Sequence, residues 1–138
     1  MRALGLDLGS KTLGIAMSDA LGYTAQGLET FRFNENHYVH AIDRVIELID
    51  EHNVSKIVIG YPKNMDGSIG ERAKIVERFV NKLKGKKPID VVLWDERMTT
   101  MEAEKILIDA DLSRKKRKKV IDKMAAIVIL QSYLRSTY

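Results

Sequence analysis

Residues 3–9 alternate residue by residue: Leu4, Leu6 and Leu8 are interleaved with Ala3, Gly5, Asp7 and Gly9. A period of two specifies a β-strand, here with one apolar face and one nearly bare face. The one polar group on the bare face is the Asp7 carboxylate, close to the strand's end. Gly9 and Ser10 permit a tight turn, and residues 12–17 predict a second strand. Small neighbours beside Asp7 would let a phosphate backbone or a hard cation come close, where a bulky side chain would block it. Taken alone, Asp7 reads equally as a site residue or as a turn residue bonding to nearby backbone.

The remaining elements fix the topology. A third strand is predicted over residues 23–33, making an antiparallel meander. Asn34 or Asn36 can cap the next helix, whose apolar stripe is Tyr38, Ile42, Val45, Ile46 and Ile49. His37, His40 and His52 lie on or beside this helix and read as surface residues, because nothing near them resembles a further ligand. Residues 56–60 form a short continuous apolar strand of the buried parallel kind, which empties into a glycine-punctuated loop over 61–70. Ser68 and Glu71 have capping-box spacing, and the helix after them should bury Ala73, Val76, Phe79, Val80 and Leu83.

A strand over 90–94 ends in Asp95, Glu96 and Arg97. Thr99 and Glu102 again have capping-box spacing, ahead of a helix carrying Ala103, Ile106, Leu107 and Ala110, and a last helix is predicted over 120–134. Strand–helix alternation after a meander implies an α/β fold: a mixed five-stranded sheet, strands one, four and five parallel, with helices on both faces. At 138 residues without repeats or low-complexity linkers, the chain reads as one domain. Ligand sites in such sheets gather at the carboxyl ends of the parallel strands. Asp7, the 61–70 loop and Asp95–Glu96 all fall there.

Charge is just as unevenly placed. Arg114, Lys115, Lys116, Arg117, Lys118 and Lys119 hold six of the 23 basic residues, leaving 17 against 19 acids elsewhere. The net charge of +4 is therefore one patch on an otherwise slightly acidic protein. A block of like charge engages polyanions, since each neutralised phosphate releases counterions, or else stands as a solvated loop. The absence of cysteine removes disulfides, thiolate zinc sites and a thiol nucleophile. No apolar run approaches the roughly 20 residues of a membrane span, and the start of the chain has no signal peptide, so a cytoplasmic protein is expected.

The acids carry the chemistry. Neighbours on a strand point to opposite faces, so only one of Asp95 and Glu96 can share a pocket with Asp7 while the strand persists. In the last helix, Asp122 has Ala125, Ala126 and Ile129 at i+3, i+4 and i+7, which puts a carboxylate on the stripe that packs against the sheet. Such a carboxylate is paired, protonated or metal-bound, or else it serves as a first-turn acid satisfying the helix dipole. Three acids without cysteine or a histidine set would make an all-oxygen site of the kind that holds Mg²⁺ or Mn²⁺.

Four blocks, GLDLGSKTLGIAMSD, GYPKNMDGSIGERA, DERMTTMEAE and RKKRKKVIDKMAAIVILQSYL, resemble in order the successive blocks of the YqgF/RuvX family and cover nearly the whole chain. These are bacterial RNase H-like nucleases described as pre-16S rRNA processing enzymes or Holliday junction resolvases. The resemblance implies an RNase H-like fold, a cytoplasmic location and divalent-metal nuclease activity. It implies catalytic and metal-binding roles for Asp7, Glu96 and Asp122. The last helix of the RuvC resolvases resembles D-x-x-D, whereas Ala125 stands at the corresponding second position here.

The expected function is thus a metal-dependent endonuclease on structured RNA, maturing the 5′ end of the 16S rRNA precursor. Lys11 and Arg97 are candidates to contact phosphate near the chemistry, and the 114–119 run to hold the backbone further out. Expected partners are pre-rRNA, ribosomal precursor particles or junction DNA, with no membrane partner, and the chain would act as a monomer or homodimer. A junction resolvase using the same residues is the alternative, and a non-catalytic nucleic-acid-binding factor is a third.

Overall fold

The computed structural model describes residues 2–96 and 114–137, with the side chains of 114–123 outside that description. Strands β1 (Arg2–Leu8), β2 (Thr12–Ser18) and β3 (Ala25–Arg32) are followed by helix α1 (Tyr38–His52), β4 (Val54–Tyr61), α2 (Glu71–Lys86), β5 (Asp90–Asp95) and α3 (Arg114–Ser136). The sheet runs β3-β2-β1-β4-β5. β1 pairs antiparallel with β2 and β2 antiparallel with β3, while β4 lies parallel to both β1 and β5. This is the expected mixed five-stranded α/β sheet.

The alternation in β1 sorts the two faces. Leu4, Leu6 and Leu8 join Ile57 and Ile59 of β4 in a core closed by Val45, Leu48, Phe79 and Leu83 of α1 and α2. Burying each such large side chain contributes about 1.5–3 kcal/mol. On the other face Ala3, Ala16 and Val58 pack against Ala126, Ile129, Leu130 and Leu134 of α3. A Cβ at Gly5 would stand 2.6 Å from Leu130 Cβ and 2.8 Å from the Ala126 carbonyl oxygen, so α3 lies directly on β1.

Several local expectations give way. Strand β3 begins at Ala25 rather than at residue 23, because Asp19 Oδ1 accepts the Tyr23 amide at 2.8 Å and holds that segment in a turn. Neither Asn34 nor Asn36 caps α1: its N-cap is His37, and Asn36 sits at φ 63° with its amide donated to the Ser10 carbonyl. The Ser68–Glu71 capping box does not form either. Ser68 Oγ donates to Asp66 Oδ1 at 2.6 Å within the loop, and Gly70 is the N-cap of α2. The last helix starts at Arg114, not at residue 120, and so takes in the whole basic run. Arg and Lys are good helix formers, and like-charge neighbours cost only a few tenths of a kcal/mol per pair. The helix expected after Thr99 lies outside the described residues. Among the described residues no helix is long and apolar enough to cross a membrane.

Candidate active site

Asp7 shares the α3 face of β1 with Ala3 and Gly5, one residue before the strand ends. On β4, Val58 faces α3 while Ile57, Ile59 and Tyr61 face the other core, so Gly60 opens toward Asp7's side. On β5, Val92 and Trp94 face α3, and the same parity carries Glu96 to that side. Asp95, paired with Tyr61, belongs to the opposite face. The backbone is held there, since the Glu96 amide donates to the Tyr61 carbonyl at 3.3 Å.

The side chain of Glu96 turns across the end of β4 and hydrogen-bonds Asp7. It does so through space that only glycine leaves open: a Cβ on Gly60 would come within 2.7 Å of Glu96 Cγ. Burial, and then the bond and negative charge of Asp7, push the Glu96 carboxyl up to about 9. The two carboxyl groups therefore hold a proton between them at neutral pH. They offer four oxygens in one half-buried place, and a divalent charge would displace that proton. Their chemistry fits a hard cation.

One cation already acts on the pair. Arg72, in the first turn of α2, donates from Nη2 to the Leu8 carbonyl at 2.9 Å, and its charge opposes the rise at Glu96. Asp95 adds a smaller push in the other direction.

Asp122 lies in α3 one turn before Ala126, and its side chain is outside the described residues. The helix direction fixes its level. Gln131 bonds the backbone of Tyr23 and Ala25, and the Lys56 ammonium donates to Tyr133 Oη at 2.8 Å, so the end of α3 sits at the amino edge of β1 and β4. Ala126 and Leu130 flank Gly5. Going from Gly5 to Asp7 on β1 thus matches going from Ala126 back to residue 122 on α3, each roughly 6 Å toward the carboxyl edge. Ala125 beside them is buried.

Lys11 is exposed on the β1–β2 turn at this edge. Arg97 lies outside the described residues. Arg114, Lys115, Lys116, Arg117, Lys118 and Lys119 form the opening turns of α3, upstream of residue 122 and so further toward the carboxyl edge. The histidines do not build a centre: among the described residues no three metal-ligating side chains cluster.

Two participants went unread in the sequence. Gly60 carried a signal, a glycine inside an apolar strand, which often marks close approach of another group. Arg72 carried a weaker one, a cation in the first turn of a helix, where the dipole favours an acid.

Residues 1–136 match the RuvX family, described as a Holliday junction resolvase. A protein of Bacillus cytotoxicus bearing the name "Putative pre-16S rRNA nuclease" is 57% identical over 136 residues, covering 99% of both chains. One of the same name in Geobacillus thermodenitrificans is 60% identical over 136 residues, again covering 99% of both. Among solved structures, RuvC of T. thermophilus bound to a Holliday junction superposes with a TM-score of 0.61 at 14% identity, covering 99% of this chain and 95% of that one. The fowlpox virus resolvase in complex with junction DNA gives 0.62 at 13% identity, covering 99% of each chain. At that identity the likeness is one of fold, the RNase H-like fold of these resolvases.

Proposed function

The chain belongs to the RuvX family, and from that footing we propose that it is a divalent-metal-dependent endonuclease that trims the 5′ end of pre-16S rRNA during ribosome biogenesis. The observation that carries this reading is the Asp7–Glu96 pair: two carboxyl groups, 89 positions apart, bonded to each other at the carboxyl edge of the sheet. The names of the relatives that are 57–60% identical to it support the substrate. Asp7, Glu96 and Asp122 would hold Mg²⁺ or Mn²⁺. Bound there, the ion would supply Lewis-acid charge to the attacking and leaving oxygens of a phosphodiester.

The protein's own residues do the rest. Asp7 and Glu96 give up their shared proton on binding and fix the position of the cut. Lys11 and Arg97 meet phosphates beside it, and the basic opening of α3 holds the strand further out by charge. Nucleic acid within ribosomal precursor particles is the partner, in the cytoplasm, and the single domain acts as a monomer or homodimer. Purified protein with Mn²⁺ should cut precursor RNA at a defined site, and an inert chain under those conditions would end the reading.

The family's description favours a second reading, resolution of four-way DNA junctions. Resolution requires two symmetric cuts and therefore a dimer. Gel filtration, with parallel assays on junction DNA and precursor RNA, separates the two.

A further inference from the structure

Several charged groups on the α1–α2 surface are paired. Lys86 meets Asp43 at 3.2 Å, Lys87 meets Asp50 at 2.7 Å and Arg78 meets Glu71 at 3.5 Å. The half-buried Arg44 is held by Glu29 at 2.6 Å and Glu47 at 2.8 Å. Arg72 differs from Arg44. It is also half-buried, yet among the described residues it makes no ion pair, and its bond goes to a neutral carbonyl, that of Leu8. That carbonyl follows directly on Asp7 in the chain. β1 has left its pairing with β4 at Leu6, so the guanidinium serves the backbone where the ladder stops.

Resting on the nuclease reading above, we infer that Arg72 is a substrate-binding residue that grips the phosphate next to the cut while pinning the strand end that carries Asp7. The guanidinium has five N–H donors in a rigid fork, and one satisfies Leu8. The remaining donors are held at the carboxyl edge with little freedom left to lose, a condition that favours two-point recognition of phosphate. Lysine could supply the charge but not the fork, because one ammonium cannot hold the carbonyl and two phosphate oxygens in fixed geometry.

The test uses the full chain and a fragment of 16S precursor RNA, with binding measured in Ca²⁺ over a range of salt and cleavage measured in Mn²⁺. For Arg72→Gln the slope of log affinity against log salt should shrink by about 0.7–0.9, one phosphate contact, and kcat should fall by about 10–100-fold. Arg72→Lys should keep the slope and still lose kcat. Melting temperatures of both variants close to wild type show that the fold is kept, and should Arg72→Gln not fold, Arg72→Lys alone decides through kcat. An unchanged slope in folded Arg72→Gln, or full kcat in Arg72→Lys, overturns the assignment. Binding is read without turnover. A wild-type chain that binds but never cuts would end the nuclease reading, while the slope would still decide whether Arg72 meets phosphate.

Discussion

The Glu96 carboxyl lies where a side chain on Gly60 would stand, and any Cβ at that position would meet the Glu96 side chain before it met backbone. The site therefore depends on an absence in β4. An alanine at position 60 would displace a side chain that can rotate away, so the fold should tolerate it while the acid pair separates. Gly60→Ala is expected to keep its stability within about 1 kcal/mol. Its Mn²⁺-dependent cleavage should drop by about 100-fold, as misplaced catalytic groups do. Urea unfolding and a cleavage assay on the same preparation check both halves.

Gly5 makes the opposite case. A Cβ there would meet Leu130 Cβ and the Ala126 backbone oxygen, and neither can rotate out of the way. Gly5→Ala should lift α3 from the sheet and cost about 1–3 kcal/mol, as overpacking does. A lowered urea midpoint with an unchanged slope is the expected result. Because residue 122 rides on the same helix, cleavage should fall with it.

The pH dependence comes from Glu96, whose carboxyl is raised from an ordinary value near 4.5 to about 9 by burial and by Asp7. A raised acid binds more protons folded than unfolded, so its contribution to stability is greatest below about 4.5 and is lost as pH climbs toward 9. A divalent cation competes with that proton. The thermal stabilisation given by Mn²⁺ should therefore grow across this range, with protons released on binding. Differential scanning measurements from pH 5 to pH 9, with and without Mn²⁺, should show the two trends running in opposite directions. Glu96→Gln should flatten both.

Much of this arrangement is readable from the residues alone, where one physical rule dominates. Alternation in residues 3–9 assigns Leu6 to one core and Gly5 and Asp7 to the other face, and both stand in the structure as expected. The helical stripe of Ala73, Val76, Phe79, Val80 and Leu83 is buried as spaced. Parity along β5 limits the acids beside Asp7 to one of Asp95 and Glu96 and leaves the choice open; the structure sets Glu96 against Asp7. Readings failed where two local interactions compete for one group. Ser68 had both a helix end and Asp66 within reach, and Asp66 won. The basic run had a loop's composition and a helix's propensity, and propensity won. Gly60 and Arg72 act across chain separations that no local pattern encodes; their roles emerge only once the sheet order brings β1, β4 and α2 together.

The direct test of the central claim is the Mn²⁺-dependent cleavage rate of Asp7→Asn on precursor RNA, beside its melting curve without metal. Loss of cleavage by about 100-fold or more, with the fold intact and the Mn²⁺-induced thermal shift abolished, is the predicted result. An Asp7→Asn protein that cuts as fast as wild type would contradict the account.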